Sequence, residues 1–172
     1  MTAAHCLMLP QWTDWKKRMT INKITVFAEE HDIEDDNDHK EHEVKTIYMH
    51  PNFGKEDNNL FSYDFAILEL KKPIDLSRRS KARAACLPDK SDTKFRRGTE
   101  FLTSGWGQKE TFERPNILQR VKTPYVKDKD CRKKHGYSDL SKAEICAGDN
   151  SKGISSCKGD SGGKLFNIFS KS

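Results

Sequence analysis

Hydrophobic and β-branched residues of this chain fall in short runs, and turn-forming residues separate these runs. Ile24 and Val26 alternate with polar neighbours, as expected of a half-buried strand. The run that begins at Phe65 is more continuously apolar, which predicts a strand buried on both faces. The pattern predicts five strands, at Lys23–Phe27, Val44–Met49, Phe65–Leu70, Phe101–Trp106 and Val121–Val126. Many short strands between turns predict an all-β fold of the barrel or sandwich type.

One segment predicts a helix. Asp128 can cap a helix that runs through Cys131 towards Gly136, because an aspartate accepts N–H bonds at the first turn and glycine suits a helix end. No internal repeat or low-complexity tract interrupts this order. The expected fold class is therefore all-β with one short helix.

Composition and charge narrow the choice of partners. The 172 residues are long enough for a sizeable core, with 34% hydrophobic and 33% charged residues. The net charge of +5 is spread along the chain rather than clustered with aromatic residues, which argues against nucleic acid. No apolar run approaches the length of a membrane span, so no membrane partner is expected.

An acidic loop, Glu29–Glu43, combines carboxylates with histidine and lysine. Carboxylates suit a hard cation such as calcium. The ligand spacing is not diagnostic, and a solvated loop is the favoured alternative. No other metal or cofactor is expected.

Two short strings carry candidate chemistry. Thr-Ala-Ala-His-Cys ends at Cys6 and holds His5, and Gly-Asp-Ser-Gly-Gly begins at Gly159 and holds Ser161. A serine hydroxyl is a poor nucleophile until a base takes its proton, and imidazole is the side chain that titrates near neutrality. Asp64, at the start of an apolar run, can orient that imidazole. Each motif alone also has a structural interpretation: a structural histidine, a strand-start aspartate and a flexible glycine turn.

Taken together, the motifs resemble the trypsin/chymotrypsin family of serine endopeptidases. The order is histidine, aspartate and serine, with Cys86-Leu-Pro, Ser104-Gly-Trp-Gly and Ile145-Cys-Ala-Gly between them. The resemblance implies two antiparallel six-stranded β-barrels with the active site between them. The first barrel would span residues 1–83, a linker 84–97 and the second barrel 98–172. Both barrels are expected to be incomplete, without the first strands at one end and the last strands and terminal helix at the other.

The resemblance also implies a role for each motif residue. Ser161 attacks the peptide carbonyl to form an acyl-enzyme, His5 acts as base and then acid, and Asp64 holds the imidazole. The backbone N–H groups of Gly159 and Ser161 form the oxyanion hole. Asp160 forms the salt bridge with a new N-terminal amine that appears when a zymogen is cleaved.

Specificity in this family depends on the residue six before the nucleophilic serine. Here it is Ser155, which leaves the substrate pocket neutral. A neutral pocket favours large apolar side chains, because no charge offsets the desolvation of a substrate cation. The chymotrypsin-like branch is therefore expected.

Three positions depart from the family pattern. Phe101 and Asn167 stand where many members have a bonded cysteine pair, and losing both together leaves no orphan thiol. Lys164 replaces the proline that commonly follows the two glycines, which puts the geometry of that loop in question.

The chain has five cysteines, Cys6, Cys86, Cys131, Cys146 and Cys157, and none forms a metal-binding cluster by its spacing. In a protease-like chain, wide spacing predicts a disulfide framework and an oxidising compartment. The odd number leaves at least one cysteine without an internal partner. The resemblance implies that only Cys131 and Cys146 pair within this chain.

These inferences predict a secreted serine endopeptidase, made as a zymogen and monomeric, that acts on polypeptides and is bound by protein protease inhibitors. The alternatives are a non-catalytic protease homologue that acts as a binding or regulatory module, and an inert fragment. The chain starts just before the histidine motif and ends soon after Ser161. We therefore expect a fragment with little or no peptidase activity of its own.

Overall fold

A computed structural model of the chain describes residues 1–8, 19, 21–37, 39–55, 61–89, 95–135 and 144–167. The chain divides into two units, Met1–Cys86 and Leu87–Ser172. Each unit is built on one antiparallel sheet.

The first unit contains a three-stranded sheet in the order β1-β2-β3. These strands are Thr25–Ala28, Lys40–Met49 and Ala66–Leu70, and short 3-10 helices lie at Ala4–Leu7 and Ile21–Lys23. Strand β2 carries an irregularity in its register between Val44 and Thr46. The long β2 strand thus pairs with β1 along its first half and with β3 along its second.

The core of this unit lies where the first 3-10 helix meets β3. Ala4, Leu7 and Ala66 are buried there. Several partly buried side chains pack around them: Ile24, Ile47, Met49, Phe53 and Leu68. Small alanines on both sides let the two backbones approach closely, and Thr2 and Ala66 exchange backbone hydrogen bonds of 2.9 and 2.8 Å.

The prediction that the Phe65 run is buried on both faces is wrong. Phe65 and Ile67 are 45% and 46% exposed, whereas Ala66 between them is fully buried. An antiparallel sheet needs only one face against the core. In the described residues β3 packs that face on the core and presents the other to solvent.

The second unit contains a four-stranded antiparallel sheet in the order β6-β5-β4-β7. The strands are β4 Glu100–Gly105, β5 Gln119–Val126, β6 Cys146–Ala147 and β7 Leu165–Asn167, with helix α1 at Asp128–His135 and a 3-10 helix at Asn150–Lys152. Phe101 on β4 pairs with Thr123 on β5 and with Asn167 on β7. Phe101 and Thr123 are almost completely buried at the centre of this sheet.

Cys131 in α1 and Cys146 in β6 form a disulfide, with Cα atoms 6.3 Å apart. This distance lies in the ordinary range for such a bond. Cys6, Cys86 and Cys157 are described residues that form no disulfide. The bond ties the helix to the edge of the sheet.

The expected all-β fold class is confirmed, and each of the five predicted strands overlaps an observed one. Helix α1 begins at Asp128, where the cap was predicted, while Gly136 lies outside the described residues. Strands β6 and β7 have only two and three residues, too short for a period to show in the sequence. None of the helices in the described ranges is long and apolar enough to cross a bilayer.

Candidate active site

His5 lies in the 3-10 helix Ala4–Leu7, and its backbone position is set by packing. Ala4 and Leu7 on either side of it are buried, and the preceding Thr2 is bonded to Ala66 of β3. The two buried residues face the core, and His5 between them stays partly exposed.

Asp64 holds His5 at two points. Asp64 lies two residues before the start of β3, and its Oδ1 accepts the backbone N–H of His5 at 2.8 Å. Its Oδ2 lies 2.5 Å from Nδ1 of the His5 ring. The His5 and Asp64 side chains are 26% and 19% exposed, so water competes only weakly for either contact. With the proton on Nδ1, the other ring nitrogen, Nε2, is unprotonated and can act as a base.

Two further side chains touch the His5 ring. Cys6 Sγ lies 3.6 Å from Nε2, and the Phe61 ring meets the imidazole edge-on with centroids 5.7 Å apart. Burial, and then the negative charge of Asp64, raise the pKa of the Cys6 thiol. Cys6 therefore stays a neutral thiol beside the imidazole rather than a competing thiolate.

Asp160 is anchored inside the second unit. Its Oδ1 accepts the backbone N–H of Gly107 and its Oδ2 accepts the backbone N–H of Cys157, both at 2.9 Å. Its backbone N–H donates to the carbonyl of Cys157 at 3.0 Å, and its carbonyl accepts the N–H of Gly163 at 2.9 Å. The carboxylate thus organises the turn that carries Gly159 and Ser161.

Two glycines make room for this carboxylate. A Cβ added at Gly105 would lie 2.1 Å from Asp160 Oδ1, and one added at Gly107 would lie within 2.6 Å of three carboxylate atoms. Gly159 itself has φ +106°, a conformation that only glycine adopts easily. The Ser104-Gly-Trp-Gly string marked the family, but its function as the site that receives Asp160 was missed. The two glycines separated by one residue were the available signal.

Ser155 and Asp160 line one cavity of about 180 Å³ in the second unit. Lys109 and Arg120 line the same cavity. Ser155 follows Ile154, whose backbone pairs with Asp149 in a short bridge. Ser161 is exposed and also belongs to the second unit. His5 and Asp64 are thus in contact within the first unit, Ser155 and Asp160 share a cavity within the second, and the complete triad stays a prediction.

The described carboxylates at the start of the acidic loop already have partners. Glu29 accepts hydrogen bonds from Ser80 Oγ and from Lys40 Nζ, which lower the pKa of its carboxyl. Glu30 Oε2 lies 2.9 Å from His39 Nδ1. Within the ranges that the structure describes, no group of three or more histidine, cysteine or acidic side chains could hold a metal ion. Nothing in this part of the loop supports a calcium site, and calcium stays an untested expectation.

Comparison with known proteins places the chain in a family. A family model described as Trypsin matches residues 1–170, so the chain belongs to the trypsin family, a class of serine protease domains. Phenoloxidase-activating factor 3 of Holotrichia diomphalia is 29% identical over 175 residues. The match covers 96% of this chain and 48% of that relative, so the chain spans about half the length of the curated relative. The predicted family is confirmed.

Proposed function

We propose that this chain carries the catalytic residues of a serine endopeptidase. The observation that supports this most directly is the double contact of Asp64 with the backbone and ring of His5. A carboxylate that fixes Nδ1 and leaves Nε2 unprotonated is what a general base requires.

The reaction uses His5 twice. Its Nε2 takes the proton of Ser161 Oγ as that oxygen bonds to the peptide carbonyl carbon, and the carbonyl oxygen becomes an oxyanion. His5 then gives the proton to the leaving amine as the C–N bond breaks, which leaves an acyl ester on Ser161. Water then attacks the ester as His5 takes one of its protons, and His5 returns that proton to Ser161 Oγ as the ester bond breaks and the acid leaves.

The oxyanion is stabilised by the backbone N–H groups of Gly159 and Ser161 in this proposal. The anchored Asp160 carboxylate supports it, because hydrogen bonds to Gly107 and Cys157 hold the turn that presents these donors. Donors that are already oriented need no reorganisation when the charge develops. As in the family, Asp160 would also receive the new N-terminal amine formed on activation.

An active-site label tests the assignment of Ser161. A fluorophosphonate probe should become bonded to Ser161 in the activated full-length protein, because only an activated serine attacks phosphorus at a useful rate. Ser161→Ala should abolish labelling, whereas Ser151→Ala, which removes an exposed hydroxyl of the same unit, should not change it. If the folded protein takes no label, that result would contradict the proposed enzymatic function and favour the non-catalytic homologue.

Substrate preference follows from Ser155. The Asp160 carboxylate that shares its cavity accepts two backbone N–H groups and, in this proposal, pairs with the new N-terminal amine, so it is not available to a substrate cation. We therefore expect kcat/KM for cleavage after Phe to exceed that after Arg by about 100-fold or more, because an unpaired buried charge costs several kcal/mol. Ser155→Asp should reverse the order, and Ser155→Ala should keep it. A preference for Arg in the unchanged protein would overturn the expected pocket.

Several wider properties belong to the same proposal. The family and the Cys131–Cys146 disulfide support a secreted protein, made as a zymogen and monomeric. Protein protease inhibitors are expected to bind at the active site. The relative's name describes a factor that activates phenoloxidase. From that name we infer for this chain only that its substrates are proteins.

A further inference from the structure

We infer that His50 is a positioning residue for Asp64. The His50 ring stacks on Tyr63 with centroids 4.7 Å apart and planes 4° from parallel. It also contacts the Phe65 ring at a centroid distance of 4.7 Å, tilted by 49°. Tyr63 and Phe65 are the residues on either side of Asp64. We call His50, Tyr63 and Phe65 the aromatic cluster.

The backbone around Asp64 forms a tight turn that the cluster encloses. The N–H of Phe65 bonds the carbonyl of Tyr63 at 2.8 Å, so Asp64 is the central residue of a three-residue turn. Tyr63 has φ 54°, a conformation that a bulky residue adopts only when its surroundings compel it. The stacked His50 ring supplies such a constraint, because its face covers the Tyr63 ring.

His50 is itself fixed by three hydrogen bonds. Its N–H bonds the carbonyl of Phe65 at 3.1 Å, and its carbonyl accepts the N–H of Phe53 at 3.0 Å. Its ring Nδ1 accepts the backbone N–H of Asn52 at 3.2 Å. The ring therefore has little freedom to rotate away from Tyr63, and the end of β2 is rigidly connected to the turn that carries Asp64.

This arrangement links the cluster to His5. The Asp64 carboxylate reaches both the backbone and the ring of His5, so a small rotation of the turn would lengthen both contacts. The rings of the cluster contact one another on both sides of Asp64, so their effect on His5 passes through Asp64. Under the proposed function, on which this step rests, the cluster should influence kcat and leave KM nearly unchanged.

Tyr63→Asn and the His50 variants distinguish the effect of the stacked rings from the effect of the backbone turn at Asp64. Asparagine tolerates positive φ, so Tyr63→Asn keeps the turn and removes the stack. His50→Ala removes the stacking ring, whereas His50→Phe keeps a ring and loses only the Nδ1 acceptor. Tyr48→Ala is the matched control, because it removes an exposed aromatic ring two residues before His50 whose hydroxyl donates to Glu69 on the surface.

The first measurement is hydrogen exchange of the His5 amide in the folded full-length protein. We expect Tyr63→Asn to speed this exchange about tenfold or more, because the bond to Asp64 Oδ1 opens more often. The amides of Tyr48 and Ile67, which face each other at a hydrogen-bonded position of the β2–β3 ladder, should keep their rates. His50→Ala, which removes the stacked ring, should speed the exchange as Tyr63→Asn does, and His50→Phe should speed it less. Tyr48→Ala should behave as the unchanged protein does.

The second measurement is the kinetics of the same variants. Tyr63→Asn should lower kcat by about 10- to 100-fold at nearly constant KM, the size of effect expected for a misplaced catalytic group. An unchanged His5 exchange rate would overturn the inference, as would faster exchange spread equally over the β2–β3 amides. If only the His5 amide exchanges faster in Tyr63→Asn, while the variants and the unchanged protein all lack peptidase activity, the positioning of Asp64 is supported and the proposed function fails.

Discussion

Replacing Asp64 with asparagine is expected to lower kcat of the activated full-length protein by about 10⁴-fold, the loss typical of this substitution in a triad of this type. Asparagine can still accept the His5 N–H through its oxygen, so the backbone contact survives. The group that faces Nδ1 then lacks a negative charge, and the ring loses both the correct tautomer and the stabilisation of its charged form. Steady-state kinetics on a Phe substrate measure the effect.

Glu69→Gln is the control for that substitution. Glu69 lies on β3 five residues beyond Asp64 and pairs with Lys45 and Tyr48 on the surface. Exposed ion pairs of this kind contribute little, so kcat should change by less than about twofold. A loss below tenfold in Asp64→Asn would remove Asp64 from the triad.

The second large effect is expected at Gly107. In Gly107→Ala the new Cβ would lie 2.5–2.6 Å from the carboxylate of Asp160, so the carboxylate must leave its position. The N–H groups of Gly107 and Cys157 would then lose their acceptor. Because that carboxylate holds the turn with Gly159, we expect kcat to fall about 100- to 1,000-fold, the usual cost of losing an oxyanion donor.

Gly98→Ala is the control that distinguishes a general loss of stability from displacement of the Asp160 carboxylate. Gly98 also belongs to the second unit and has φ +91°, but an added Cβ there meets no atom within 4 Å. The substitution should lower the melting temperature through backbone strain while kcat stays nearly constant. If Gly107→Ala loses no more activity than Gly98→Ala, the carboxylate of Asp160 does not support the oxyanion hole.

The strands could be predicted because their apolar residues recur at the spacing that a sheet requires. Val44–Met49 and Val121–Val126 each coincide with part of a longer observed strand, β2 or β5. The strand ends extended further into polar sequence than predicted, since backbone pairing with a neighbour continues where the apolar pattern stops. The exposure of Phe65 and Ile67 could not be predicted, because an apolar residue does not reveal whether anything covers it.

The residues of the candidate site also differ in whether the sequence alone could identify their function. His5, Asp64 and Ser161 were identified from local strings, since the order of three short motifs is itself informative. The anchoring of Asp160 depends on Gly105 and Gly107, more than fifty residues earlier in the chain, which no local pattern connects to it. In the same way, Ser80, distant in sequence, donates to the carboxylate of Glu29 in a loop that looked suited to a cation.

By itself the sequence determined the family, the all-β class, the position of the helix and the residue types that could act as nucleophile, base and orienting acid. Each of these properties depends on which residues stand in short stretches of the sequence, and the sequence contains that information in full. The tertiary structure alone decided that Asp64 bonds both the backbone and the ring of His5, that glycines make room for Asp160, and that His50 stacks beside Asp64. These are contacts between residues distant in sequence, and their geometry depends on how the strands pair and the loops close.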